Sequence, residues 1–518
     1  MREIYRNKLN RYLKLAPDEA FIQLIWAANA IQTDQPDAAR RYLKNVPPEA
    51  VTTEMTSKLA LYKWELETLV NEMLTVPKRQ KQIRGQWREL DCSRYDALQD
   101  IMRVLRRLEN AEAGSRLKRM NVLDEMPRVS ARQFDWQRGW FNVPQFYRSA
   151  FIYGQGASAD YFEATHGLTI NEFSLIGFAL HTNFWEYPII LRNFDWGPMP
   201  VTREKFEIAL RLLCLPIADA REKASGIYRR FQTIAHQPSV LRQFPCIGFG
   251  ENNERIRSPL PQLILERVTG GVFYDIVGAG WKVREEYGRR FEDYSLRYLQ
   301  ASLADIDWQS EQTYRIRKVE FKSPDILWMG GQQLRLAIEC KATRLSVEAR
   351  YADDPLSVRG YDDLIKAVFQ LWRYFSHCRR GLTGVSLAAN ATGLVLTLDS
   401  WLVMADRLIQ DIFEAASQMA AEKDPDITEE DRRPILFCAS TDLESTLATA
   451  TEDSFNAAIS KAVDEQRQGW LLFSSHQEVR PGSLDQKPFP FRDDMARLLP
   501  WWDWIEEKRG ASATDNRS

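Results

Sequence analysis

Nine residues, QLRLAIECK (333–341), constrain this chain more than any others. Leu336, Ile338 and Cys340 alternate there with Arg335, Ala337, Glu339 and Lys341. That is the period of a β-strand, in which successive side chains point to opposite faces. Glu339 and Lys341 therefore share a face, about 7 Å apart along the strand. Upstream, Asp325 follows the run FKSP, and Gly330-Gly331 turns the chain between the two segments. Paired as a hairpin, these segments bring Asp325 to the same end, so that two carboxylates and an ammonium converge. Charge without a partner is costly to bury on an apolar strand. A divalent cation changes that balance, and the hard oxygens of Asp and Glu suit Mg²⁺ or Mn²⁺. A neighbouring Lys can orient or deprotonate an attacking water, or stabilise developing charge. Phosphate-ester hydrolysis requires about 20 kcal/mol of such help.

At these residues the sequence resembles the PD-(D/E)xK nuclease superfamily. Pro324-Asp325 matches the first half of the signature and Glu339-Cys340-Lys341 the second. In GRRFEDYSLRYL (288–299), Glu292 stands on a helix where the RecB-like and Holliday-junction-resolvase-like branches carry an additional metal-binding or active-site Glu. QLWRY (370–374) matches the helical Q-x-x-x-Y element, with Gln370 and Tyr374 one turn apart and expected to face the site. The resemblance covers about residues 280–475. It implies a restriction-endonuclease-like α/β core with a central mixed sheet flanked by helices. It implies Asp325, Glu339, Lys341, Gln370 and Tyr374 as catalytic residues, and Asp325 and Glu339, assisted by Glu292, as ligands of Mg²⁺ or Mn²⁺. The implied reaction is metal-dependent hydrolysis of nucleic-acid phosphodiesters, with DNA the expected substrate. The architecture, by analogy, suggests bacterial restriction or anti-phage defence.

The tripeptide alone is unspecific. Glu320-Phe321-Lys322, Asp485-Gln486-Lys487 and Glu506-Glu507-Lys508 fit [DE]-x-K as well, and Pro-Asp recurs at Pro17-Asp18, Pro36-Asp37 and Pro425-Asp426. Only Pro324-Asp325 is followed, within a hairpin's length, by such a tripeptide on an apolar strand. After Lys341 comes a segment with Arg344, Arg350 and Arg359 interleaved with Tyr351 and Tyr361. It reads either as a nucleic-acid-binding surface or as an ordinary polar crossover. No cysteine cluster of the iron–sulfur nucleases occurs, and no G-x-x-x-x-G-K-[ST], so neither an iron–sulfur cluster nor an ATPase is expected.

The rest of the chain reads as an α+β multi-domain protein. Residues 1–122 are expected to be helical, with Phe21, Leu24, Ile25, Ala28 and Ile31 on one face and further helices near 58–75 and 94–110. Within them, Lys78 to Arg119 holds twelve Lys/Arg against six acids. Such a run suits either a phosphate backbone or a solvated helical face. Residues 123–279 form an aromatic-rich region, expected to mix short strands with a helix near 203–232. Its His166, His181 and His236 lack metal-pair spacing and read as structural. The nuclease-like domain is expected over 280–480, with strands near 313–321, 334–341, 393–399, 434–438 and 469–473. A tail, 481–518, has an aromatic cluster expected to pack on the body and a final GASATDNRS expected to be disordered.

With 69 Lys+Arg against 71 Asp+Glu the formal charge is −2, so a nucleic-acid role must come from a local patch. No apolar run is long enough for a membrane span. The charged opening MREIYRNKLNRYLKL has no signal-peptide core. Six scattered cysteines fit reduced thiols in the cytosol. Two further readings stay open. In one, the nuclease fold is inactive and binds nucleic acid or a partner. In the other, the nuclease is silent until a partner or trigger engages the preceding regions. A homodimer is a further expectation by resemblance.

Overall fold

A computed structural model describes the chain except residues 34, 52–56, 58, 79–81, 84–85, 88, 117–121, 139–142, 198, 232, 347–348, 352–355, 357–359, 483–484 and 506–518. The terminal GASATDNRS lies outside the described residues. The fold is mixed α and β. It separates into two compact units. One comprises Met1–Asn121, Arg132–Asn142 and Ala159–Asp275, the other Val122–Ala131, Val143–Ser158 and Ile276–Ser518. The two regions read from sequence as 1–122 and 123–279 thus largely share one unit.

The first unit is chiefly helical. Phe21, Leu24, Ile25, Ala28 and Ile31 are all buried, as their spacing predicts. The helix Ile170–Glu186 starts in a capping box, with Glu172 N–H donating to Thr169 Oγ1 (3.1 Å) and Thr169 N–H to Glu172 Oε2 (2.7 Å). The helix expected near 203–232 is two helices, Arg203–Leu213 and Ile217–Tyr228, separated by the strand Cys214–Pro216. Pro216 explains the break, since it lacks an N–H and disfavours helix in the residue before it. A small four-stranded sheet runs Ile190–Leu191, Arg255–Arg257, Cys246–Phe249, Cys214–Pro216 in spatial order.

In the second unit the strands, numbered in chain order, are β1 (Asp307–Ser310), β2 (Thr313–Ile316), β3 (Val319–Lys322), β4 (Ile326–Gly330), β5 (Gln333–Lys341), β6 (Ser386–Thr397) and β7 (Ile435–Ala439). Five of them form a sheet in the order β7-β6-β5-β4-β1. β1, β4 and β5 pair antiparallel, whereas β5, β6 and β7 are parallel. The parallel half needs crossovers, supplied by the helices Tyr361–Arg379 and Asp406–Lys423. Those helices bury Val368, Leu371, Phe375, Ile409 and Ile412 with Leu327, Ala337 and Val395 of the sheet. β2 and β3 form a separate hairpin, where a single strand was expected over 313–321. Arg317, at φ 56°, turns the chain between them.

The segment near 469–473, expected as a strand, instead opens the helix Leu472–Val479. Asp442 decides this. Its carboxylate accepts from Leu472 N–H (2.8 Å) and Phe473 N–H (3.1 Å), satisfying the first turn of a helix. The aromatic tail packs inside this unit, with Phe491 stacked on Tyr147 (4.9 Å) and Trp501 edge-on to Phe146 (6.0 Å). Among the described residues no helix is long and apolar enough to cross a membrane.

Candidate active site

The site is built by the β4–β5 hairpin. Gly331, at φ 68°, takes the left-handed conformation that its tight turn requires, which glycine adopts without steric penalty. Ile326 pairs with Ile338, so Asp325, one residue before, stands opposite Glu339, one residue after. Cys340 N–H donates to Asp325 Oδ2 at 2.6 Å and fixes that carboxylate. On the same face as Glu339, Lys341 Nζ donates to Glu339 Oε1 (2.8 Å) and to Gln370 Oε1 (3.2 Å). The structure thus brings Asp325, Glu339, Lys341 and Gln370 together from one hairpin and one crossover helix. Cys340 is buried, and its thiol is pushed far up by burial and then by Asp325, so it is no nucleophile at neutral pH.

Negative charge exceeds positive here. Burial first, then Glu339 and Glu292, push the Asp325 carboxyl well above the usual carboxylate range. Glu292, on the helix Trp281–Ser302, is pushed up to about 7 by burial, then by Glu311 and Glu339, with Lys341 and Lys322 opposing. Lys341 responds in the other direction. Burial alone would pull its ammonium down, but Glu339 and Asp325 hold it above its ordinary value. It is therefore a cation at neutral pH. Among the described residues no three His, Cys, Asp or Glu side chains converge into a metal cage.

Glu311 and Lys322 are additions that sequence reasoning passed over. They form an ion pair of 2.7 Å, and both act on Glu292. Lys322 belongs to Glu320-Phe321-Lys322, which in the sequence is one of several chance tripeptides. Its closeness to Asp325, three residues on, is the signal that could have found it.

Other expected residues lie elsewhere. Tyr374 is buried one turn beyond Gln370, its ring 6.0 Å from that of Tyr314. Burial, then Cys378, pushes its hydroxyl up. It belongs to the core between helix and sheet. Arg344 and Arg350 both bond Asp399 Oδ2, at 2.8 and 2.7 Å. Against the effect of burial, these two arginines hold Asp399 below its ordinary range. They anchor the crossover to the end of β6. Arg359 lies outside the described residues. In the basic run of the first unit, Lys78 pairs with Asp18 (3.0 Å), Arg94 with Asp96 (2.8 Å), Arg103 with Asp100 (3.2 Å) and Arg106 with Glu65 (2.7 Å). Arg79, Lys81, Arg84, Arg88, Lys118 and Arg119 are outside the described residues.

No family model matches the chain, and no curated protein or solved structure matches it. The chemistry is therefore argued from the hairpin itself. Two carboxylates on adjacent strands, a third nearby and a single lysine bonded to one of them make a face rich in hard oxygen donors. Such a face suits a divalent cation that keeps several of its waters, and two protein carboxylates are a usual ligand number for Mg²⁺. The upward push on Asp325 and Glu292 marks the positive charge this arrangement lacks.

Proposed function

We propose that the second unit is a metal-dependent nuclease of the PD-(D/E)xK type, hydrolysing phosphodiester bonds of nucleic acid, with DNA the expected substrate. The observation that carries this reading is the placement of Asp325 opposite Glu339, with Lys341 bonded to both Glu339 and Gln370. It is supported by the strand order, an antiparallel β1-β4-β5 meander continued by parallel β6 and β7, which suits a restriction-endonuclease-like core.

Asp325 and Glu339, with Glu292 assisting, would hold Mg²⁺ or Mn²⁺, which when bound neutralises charge at a phosphate oxygen. Lys341 is cationic and its three N–H groups are donors, so its part is to stabilise charge developing on the phosphate and to orient water rather than to take a proton. Gln370 accepts from Lys341 and fixes the ammonium over the site, leaving its own amide N–H groups for substrate. Water attacks phosphorus as a bridging P–O bond breaks, and the leaving oxygen takes up a proton.

The test incubates wild type and Lys341→Ala with plasmid, linear duplex, single-stranded DNA and RNA, in Mg²⁺, Mn²⁺ or EDTA. Metal-dependent cleavage should appear and fall at least ~10³-fold in the variant, the scale of a lost transition-state donor. Absence of cleavage together with absence of Mn²⁺ binding by calorimetry would reject the assignment.

A further inference from the structure

At the far edge of the same sheet, away from the hairpin, β7 pairs only with β6. Gly393 N–H donates to Pro434 O (2.9 Å), and Gly393 is the register partner of Ile435. In a parallel ladder this directs the backbone groups of Pro434, Leu436 and Cys438 toward β6 and those of Ile435 and Phe437 outward. Among the described residues, no strand, turn or loop bonds those outward groups.

Edges of this kind are ordinarily covered. Here a cavity of about 340 Å³ runs along the strand, walled by Phe413 and Ser417 on one side and Val463 on the other. Arg432 and Arg433 line it where β7 begins. Arg432 is matched by Glu429 at 3.0 Å. Arg433 bonds only a neutral carbonyl, Ala389 O, at 2.7 Å, and its Nε has no acceptor. The remaining acid of the lining, Glu465, pairs with neither arginine. The groove therefore offers a free strand edge, apolar walls and one uncompensated guanidinium.

We propose that this groove binds an extended peptide of a partner protein, which adds as a sixth strand beside β7 and sets a carboxylate on Arg433. Main-chain hydrogen bonds to Ile435 and Phe437 supply affinity, and the walls take alternate side chains. The carboxylate–guanidinium contact supplies specificity. The proposal is independent of the nuclease reading.

The probe is a fluorescein-labelled octapeptide of alternating valine and threonine with an aspartate at each end, its binding to the full chain read by anisotropy. Binding is expected to weaken about tenfold in Arg433→Ala, or when lysines replace the aspartates, the scale of one charged hydrogen bond. N-methylation of alternate peptide amides, and Ser417→Trp filling the groove, should abolish it. The altered peptides keep the test valid should the tryptophan variant fail to fold. Failure of the aspartate peptide to bind wild type, or binding indifferent to N-methylation and to Arg433→Ala, overturns the proposal. So does a dimer in sedimentation that Ser417→Trp dissociates, since the edge would then belong to a second copy of the chain.

Discussion

Both units bury acids, and they do so in opposite ways. In the first, each buried glutamate has an arginine. Glu65 is held by Arg106 through two nitrogens, Glu67 by Arg242 at 2.8 and 3.0 Å, Glu72 by Arg6, and Glu112 by Arg6 and Arg2. In the second, Asp325, Glu339 and Glu292 share the charge of Lys341, with Lys322 already paired to Glu311. The forked guanidinium matches a carboxylate bond for bond, and the first arrangement needs nothing further. The second holds more negative charge than its partners cancel, and such an imbalance persists where a ligand supplies the missing charge. Acid content alone does not separate the two regions; the partners do.

The comparison breaks first on activity. Asp325→Ala or Glu339→Ala should remove cleavage by at least ~10³-fold while the chain stays folded. Removal of an arginine from the first unit should leave cleavage by the folded fraction unchanged but destabilise the protein. Arg242→Ala leaves Glu67 buried beside Trp136, whose Nε1–H donates to it at 2.7 Å. The expected cost is about 3–5 kcal/mol, the range for a buried pair that loses one partner. Denaturant unfolding measures it, and a loss under ~1 kcal/mol would mean that these pairs are solvated.

Glu72 is the intermediate case, since Arg6 divides itself between Glu72 and Glu112. Burial pushes its carboxyl up to about 7, against the pull of Arg6. Between its ordinary 4.5 and about 7 the folded state keeps a proton that the unfolded chain has lost, so stability falls as pH rises through that window. The total is on the order of 2–3 kcal/mol. His181, pushed down to about 4 by burial, acts oppositely, favouring the fold above its ordinary value and losing that contribution as pH falls. The Glu72→Gln variant measured against wild type across pH 4–8 isolates the acid. Equal pH dependence in the two would show that Arg6 keeps Glu72 ionised and place it with the fully matched acids.

The site was more legible than the fold around it. Alternation in 333–341 assigns a strand and a shared face to Glu339 and Lys341, and Gly330-Gly331 marks the turn that sets Asp325 across from them. Those are local rules of period and backbone conformation. Arg344 and Arg350 were illegible because their partner, Asp399, is about fifty residues away in sequence, and a polar crossover looks the same whether it faces solvent or an acid. Tyr374 shares a helix face with Gln370 by spacing, yet its ring lies against Tyr314, from a hairpin read as one strand. The helix at Leu472–Val479 begins on a carboxylate thirty residues earlier, and the run GWLLF has no helical period of its own. Asp442→Ala should cost about 1–2 kcal/mol as a lost cap, measurable as a lowered Tm.

The sharpest contrast is the smallest in energy. Asp325→Asn keeps the size of the side chain and an oxygen for Cys340 N–H, but removes one of the crowded charges. The wild-type carboxyl is raised well above its ordinary 3.8, so above that pH the unfolded chain loses a proton that the fold retains. That linkage opposes folding, and the asparagine variant is free of it. With metal absent it should be more stable than wild type at pH 7, by about 1 kcal/mol or more, and no different at pH 3, where both states of the wild type are protonated. The matching change in the first unit, Glu67→Gln, should lower stability at pH 7, because it takes the charge from a bidentate arginine pair. Opposite signs for two carboxylate-to-amide substitutions in one protein would separate a site built to receive positive charge from one already complete. If Asp325→Asn is destabilising instead, the carboxylate is structural, and the argument for a cation at the hairpin loses its electrostatic basis.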